Sequence, residues 1–154
     1  IAVIPRKRMN LPDIYFSHSQ TRTTGLAASN GRISFIRTPL ERDSYFIENM
    51  QAVADANSLR LLDADTSICP TIELRLYDGH TPGQIVPYIH TEDRTFVFAG
   101  DVIPLVASVS PEWISAYDTY PITSYNEKLR MLAEASRKGK RSSTAMTLTS
   151  AAQP

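Results

Sequence analysis

The sequence has little cysteine, no excess of either charge and no long apolar run. Its single cysteine, Cys69, excludes an internal disulfide and a cysteine zinc cluster. Its 16 Lys and Arg balance 16 Asp and Glu, so it lacks the basic excess that binds nucleic acid or anionic membranes. No apolar run approaches the roughly 20 residues of a membrane span, and residues 1–4 are too few for a signal-peptide core. We therefore expect a cytoplasmic protein that binds neither nucleic acid nor a membrane.

The composition that remains is that of an ordinary folded chain. Hydrophobic residues make up 42% and charged residues 21%, which distinguishes the chain from a disordered one. A length of 154 residues suits one domain with its own core, and no repeat or long linker divides it. No Gly-x-Ser-x-Gly sequence occurs, which argues against a serine hydrolase. We predict a single domain over residues 1–154.

Several short segments have the composition of β-strands. They are rich in β-branched and aromatic residues and are bounded by Pro, Asn or Gly, which is typical of strands. The predicted strands are residues 1–4, 13–17, 32–36, 59–62, 72–77, 84–90 and 95–99, with a further edge strand at 145–149.

Two segments have helical patterns. Apolar residues spaced by three and four predict a helix over residues 38–57. A second helix is predicted over residues 125–137, where Ser124 and Glu127 have the spacing of a capping box and Gly139 follows the last turn. The mixture of strands and helices indicates an α/β or α+β class.

The segment most informative about chemistry is Gly-His-Thr-Pro-Gly-Gln at residues 79–84, which follows a predicted strand. A hairpin over residues 84–99 would return the chain to Asp101, so that His80 and Asp101 lie at one edge of the sheet. An imidazole and a carboxylate held on strand ends suit a cation such as Zn²⁺. The alternative is that both are ordinary turn residues.

Residues 79–84 and the Phe-Ala-Gly-Asp of residues 98–101 resemble the third and fourth motifs of metallo-β-lactamase-fold hydrolases. The resemblance is most specific over residues 59–132, and the Val-Ile-Pro at 102–104 is similar to lactonase and esterase-like members. It implies an αββα sandwich, here without part of its first half, and zinc-type hydrolysis of a small-molecule ester, lactone or amide. It also implies that His80 is a metal ligand and that Asp101 is a ligand that orients the attacking water.

The first motif of that family, His-x-His-x-Asp-His, is largely absent. Its best match places His18 on the first histidine, whereas Gln20, Arg22 and Thr23 stand at the three other ligand positions. The chain has three histidines and no counterpart of the family's late histidine. The remaining one, His90, matches no motif, and we interpret it as a surface residue of a strand.

The remaining ligands limit what the site can hold. His18, His80 and Asp101, with the amide oxygen of Gln20, supply enough donors for one zinc ion per chain at most. In the alternative, Arg22 pairs with Asp101 in place of a metal, because a guanidinium matches a carboxylate in bidentate geometry. The fold would then be an inactive binding or structural module.

Four aromatic residues form a cluster in the sequence after Asp101. The cluster comprises Trp113, Tyr117, Tyr120 and Tyr125. The resemblance implies that it lines the substrate entrance, and the alternative is that it packs a loop against the core.

Because the opening strands of the family are mostly missing, an edge or an apolar face should remain open. We therefore expect a homo-oligomer, most simply a two-fold dimer, with residues 1–4 or 33–36 at the contact.

Overall fold

The computed structural model describes residues 14–17, 51–53, 55, 56, 58–141 and 145–150. The chain forms two compact units, Ile1–Leu62 and Asp63–Pro154. In the first unit, β1 (Ile14–Ser17) and β2 (Leu59–Leu62) pair in parallel, which confirms the strands predicted there.

Most other predictions for the first unit concern residues outside the described part of the chain. The strands predicted at 1–4 and 32–36 lie outside the described residues. So does most of the helix predicted at 38–57, of which residues 51–53 and 55 are described and helical. The single-domain organisation stays a prediction.

The second unit contains a five-stranded sheet with the order β3-β4-β5-β6-β7. These strands are β3 (Thr66–Cys69), β4 (Ile72–Tyr77), β5 (Gln84–His90), β6 (Arg94–Gly100) and β7 (Ala145–Ser150). Strands β3 to β6 are antiparallel neighbours, whereas β7 pairs in parallel with β6. The predicted strands are present, and β6 extends one residue further at each end. Strand β3 was not predicted.

The β5–β6 hairpin carries the core of this unit. Alternate residues face the core, as the period-two pattern of a half-buried strand requires. Val86 and Tyr88 of β5, with Val97 of β6, are completely buried. Each buried valine stabilises the fold by roughly 1.5–3 kcal/mol relative to exposure. This packing fixes the two strand ends from which the functional residues extend.

Helix α1 (Pro121–Arg141) starts earlier and ends later than the predicted 125–137. The capping-box prediction is wrong, because Ser124 lies inside the helix with its buried Oγ unpartnered, and Glu127 binds a turn of the sheet instead. Proline suits the first helical position because its missing N–H is not needed there. Gly139 lies within the helix and does not end it. No helix in the described part of the chain is long and apolar enough to cross a membrane.

Arg75 of β4 is the centre of a partly buried ion-pair network. Its guanidinium lies 3.8 Å from the ring centroid of Tyr88 and donates to both carboxylate oxygens of Glu73, at 2.9 and 3.0 Å. It also donates to Glu134 of α1 at 2.8 Å. The hydrogen bond from Arg75 lowers the pKa of Glu73. The network therefore links the sheet to the helix through one guanidinium that is shared by two carboxylates.

Candidate functional site

The turn between β4 and β5, residues 78–83, presents His80 at the edge of the sheet. Gly83 has a φ of 76°, which favours glycine, and its N–H donates to Oδ1 of Asp78 at 2.7 Å. Gly79 is buried, and a Cβ at this position would lie 2.3 Å from the backbone nitrogen of Ser124. The close approach of α1 thus requires glycine at position 79.

His80 lies between two carboxylates. Its Nδ1 is 2.9 Å from Oδ1 of Asp118, and its Nε2 is 3.6 Å from Oδ2 of Asp101. The side chain of Asp118 is 5% exposed, whereas that of Asp101 is 53% exposed. The ring of Tyr117 contacts the imidazole edge to face, with 5.5 Å between ring centroids. The structure thus brings His80 and Asp101 together at one sheet edge, as the predicted hairpin requires.

The buried carboxylate determines which nitrogen of His80 carries a proton. An ionised carboxylate only accepts hydrogen bonds, so Nδ1 of His80 donates to Asp118. In the neutral imidazole, Nε2 then carries a lone pair that faces the carboxylate of Asp101. A proton on Nε2 or a cation bound by both atoms would make this contact attractive. The arrangement is therefore compatible with a cation at this point.

Asp118 is a site residue that the sequence reasoning missed. It lies in the 101–120 loop, the segment between β6 and α1, which contains a short 3₁₀ helix at Val106–Ser108. Two backbone hydrogen bonds attach this loop to the turn that carries His80. They run from the N–H of Thr119 to the carbonyl of His80 at 2.9 Å and from the N–H of Tyr120 to that of Gly79 at 2.8 Å. The sequence signal that could have identified Asp118 is its position between Tyr117 and Tyr120 of the aromatic cluster.

Adjacent residues of α1 bind the two segments that meet at His80. The carboxylate of Glu127 accepts the N–H groups of Asp78 at 2.8 Å and Gly79 at 3.0 Å. Burial raises the pKa of Glu127 despite these two donors. Lys128 is 1% exposed, and its ammonium donates to backbone carbonyls of the 101–120 loop. Burial lowers the pKa of Lys128.

The donor set at His80 fits part of a metal site. The 3.6 Å between Nε2 of His80 and Oδ2 of Asp101 is close to the roughly 3.4 Å between neighbouring ligands on a tetrahedral zinc ion. Asp118 also binds the far nitrogen of the imidazole, as carboxylates commonly do behind metal-binding histidines. Within the described residues, no group of three or more His, Cys, Asp or Glu could hold a metal ion. His80 and Asp101 could therefore contribute two of the ligands of such a site, and the metal site stays a prediction.

The other predicted site residues are placed differently. His18, Gln20, Arg22 and Thr23 lie outside the described residues, so the ligand role of His18 and the pairing of Arg22 with Asp101 stay predictions. His90 is in β5, where Nδ1 is 3.0 Å from Oγ1 of Thr95 and Nε2 is 3.5 Å from Glu73. This position agrees with a strand residue outside the site.

The aromatic cluster borders the site and is largely exposed. Trp113 is 67% exposed, Tyr117 is 56% exposed and Tyr120 is 51% exposed. Half or more of each of these three side chains is therefore exposed, whereas Tyr125 is partly buried. Both predictions for the cluster, a substrate entrance and the packing of a loop against the core, stay predictions. Tyr117 contacts the imidazole of His80, so an apolar surface lies directly beside the candidate metal ligands.

Comparison with solved structures shows a metallo-β-lactamase-type α/β fold, which confirms the fold class and the resemblance inferred from the sequence. The chain spans about half the length of these structures. No protein-family model matches the sequence, and no curated protein matches it significantly.

Three of the similar structures are hydrolases by description. The hydrolase AbOPH of the beta lactamase superfamily has a TM-score of 0.60 at 20% identity, over 89% of this chain and 48% of that one. A probable metal-dependent hydrolase from Staphylococcus aureus has a TM-score of 0.60 at 22% identity, over 84% and 52%. AidC, a dizinc quorum-quenching lactonase, has a TM-score of 0.56 at 19% identity, over 82% and 45%.

Proposed function

We propose that the protein is a metal-dependent hydrolase of a small-molecule ester, lactone or amide. His80 and Asp101 are the metal ligands that the described residues supply, and His18 is the third. The metal is Zn²⁺, with at most one ion per chain. The single observation that carries this proposal is the pair of acceptors that face each other at 3.6 Å, Nε2 of His80 and Oδ2 of Asp101.

Bound zinc supplies Lewis-acid activation of a carbonyl group and of water. The chain's own residues prepare the position for it. Asp118 accepts a hydrogen bond from Nδ1–H and so keeps the lone pair of His80 on Nε2. Tyr117 makes an edge-to-face contact with the imidazole of His80 and so limits its rotation. Asp101 is half exposed, so its carboxylate can bind the ion and still accept a hydrogen bond from water.

The proposed substrate class is supported by two observations. An N-acyl homoserine lactone hydrolase with a similar fold holds the product N-hexanoyl-L-homoserine at its catalytic metal centre. The exposed ring of Tyr117 provides an apolar surface in contact with His80, which suits the apolar part of a small molecule.

Zinc binding tests the proposal directly. The full chain is dialysed, and its zinc content and affinity are measured by elemental analysis and by competition with a chelator. We expect at most one ion per chain in the wild type and at least a tenfold weaker affinity in His80→Gln and Asp101→Asn. His90→Gln is the matched control, because His90 lies in the same unit outside the site.

Three results would contradict the proposal. Two tightly bound ions per chain would show that the ligand set is larger than proposed. No specific zinc binding would instead favour the alternative, the inactive module in which Arg22 replaces the metal. Equal affinities in His80→Gln and His90→Gln would place the zinc site elsewhere.

Assembly and location are proposed from the sequence alone. We expect a cytoplasmic homo-oligomer, most simply a two-fold dimer, because a sheet edge that lacks its neighbours can pair with another chain. Residues 1–4 and 33–36, the candidate contact segments, lie outside the described residues.

A further inference from the structure

We infer that Lys128 is a positioning residue for the hydrogen bond between His80 and Asp118, and that it acts by holding the 101–120 loop against α1. This inference rests on the proposed function, in which His80 is a metal ligand. It adds a residue of the helix that touches none of the proposed ligands.

Lys128 is among the most buried residues of the chain, although lysine is normally exposed. Its Nζ donates to the carbonyl oxygens of Ser108 at 2.8 Å, Trp113 at 2.6 Å and, more weakly, Ser110 at 3.4 Å. An ammonium has three donors, so the three carbonyls use its whole hydrogen-bonding capacity. All three acceptors are main-chain atoms of the 101–120 loop. Lys128 therefore fixes the course of the backbone in that loop.

The loop needs such an anchor because it has little regular structure. Apart from Val106–Ser108, none of its residues is in a helix or strand. Its later part carries Asp118, whose carboxylate attracts the ammonium of Lys128. Without the ammonium, three carbonyls would lose a charged donor in a buried setting, which favours rearrangement of the loop. Such a rearrangement would carry Asp118 away from His80.

Glu127, the residue before Lys128 in α1, holds the turn that carries His80. Glu127 binds the N–H groups of Asp78 and Gly79, immediately before His80. Consecutive residues of one rigid helix thus fix the turn that carries the histidine and the loop that carries the aspartate. Both anchors bind main-chain atoms, so they set where the two side chains begin. The 2.9 Å contact between His80 and Asp118 follows from this shared support.

The tautomer of His80 is the readout that separates positioning from general stability. In the wild type, Asp118 should hold the proton of the neutral ring on Nδ1. NMR of full-length protein labelled with ¹⁵N-histidine reports this directly at about pH 8, above the usual histidine pKa of about 6.5. The chain has three histidines, and His80→Gln assigns the signal. The measurement needs neither zinc nor a substrate.

The variants are Lys128→Met, Lys128→Arg and, as a matched control, Arg137→Met. Arg137 is on the same helix, and its guanidinium donates to the carbonyl of Ala133 in that helix, away from the loop. We expect Lys128→Met to shift His80 towards the tautomer mixture of a free imidazole. Lys128→Arg and Arg137→Met should keep the wild-type tautomer. Emission of Trp113, the single tryptophan, should become more easily quenched in Lys128→Met alone.

Each of the other results would overturn the inference. A folded Lys128→Met with the wild-type tautomer would show that Lys128 only stabilises the fold. Loss of the tautomer in Lys128→Arg as complete as in Lys128→Met would show that the charge is not what positions the loop. If Lys128→Met does not fold, Lys128→Gln is measured instead, with a partial shift expected. If Lys128→Met and Lys128→Gln both fail to fold, Lys128 is required for the whole fold and the inference of a positioning role is overturned.

The test also distinguishes this inference from the proposed function. A wild type that binds no zinc but shows the Nδ1 tautomer would refute the hydrolase and leave the positioning role intact. If the wild type binds zinc through His80 but the tautomer of His80 does not depend on Lys128, the positioning role is refuted and the proposed function stands.

Discussion

Replacement of Gly79 by alanine should be the most destabilising small change in the candidate site. The added Cβ would lie 2.3 Å from the nitrogen and 2.4 Å from the Cα of Ser124, which are backbone atoms of α1. A normal contact is about 3.5–4.0 Å, so the turn or the helix must move by more than 1 Å. Overpacking of this kind costs about 1–3 kcal/mol. The movement would also strain the hydrogen bond from Gly79 to the buried carboxylate of Glu127, at a further cost of about 1–3 kcal/mol.

We therefore expect Gly79→Ala to lower the free energy of unfolding by roughly 2–6 kcal/mol, measured by urea denaturation followed by circular dichroism. Gly100→Ala is the control. There the added Cβ meets only the end of the Gln84 side chain, at 2.9 Å, and the main penalty is the φ of +52°, worth about 1–2 kcal/mol. If Gly79→Ala is destabilised no more than Gly100→Ala, the helix does not approach the turn as closely as described.

Three further predictions concern other parts of the chain. The pKa of Glu73 is lowered in the folded state, so its stabilisation is present above the unfolded pKa and is lost as the pH falls through the folded pKa. Glu73→Gln should lower the free energy of unfolding by about 1 kcal/mol at neutral pH and by almost nothing near pH 2; an equal loss at both would contradict this. Asp118→Asn should weaken zinc binding about 10-fold to 100-fold in a chelator competition, and an unchanged affinity would exclude its orienting role. Light scattering on dilute protein should give a multiple of 17.2 kDa, whereas a cooperatively unfolding monomer would show that the chain closes its own sheets.

The parts of the site that could be predicted are those set by local sequence. Alternating apolar residues on both sides of a four-residue connection predict the hairpin, and the hairpin alone brings His80 and Asp101 to one edge. The pairing of adjacent strands brings the two residues near each other, whereas the 3.6 Å separation also depends on the contacts of the turn with α1. Gly83 was equally visible, because its role is conformational, whereas the role of Gly79 depends on the close approach of α1.

The parts that could not be predicted depend on contacts between distant segments. Asp118 lies 38 residues beyond His80, in a loop without periodicity, so its pairing has no local signal. Glu127 has the spacing of a capping residue relative to Ser124, but the buried N–H groups of the turn compete for its carboxylate and bind it instead. Strand β3 was missed because Thr66–Cys69 contains one large apolar residue and lies at the edge of the sheet.

The sheet topology also has a consequence for the order in which the site assembles. Strands β3 to β6 follow one another in sequence and pair with their neighbours, so their contacts close short loops. In contrast, β7 pairs with β6 across about fifty residues that include α1, and such long-range pairing forms later because loop closure must come first. His80 and Asp101 both belong to the early meander, whereas Asp118, Glu127 and Lys128 belong to the late crossover. The two proposed metal ligands would therefore meet first during folding, and the groups that orient His80 would join when the helix docks.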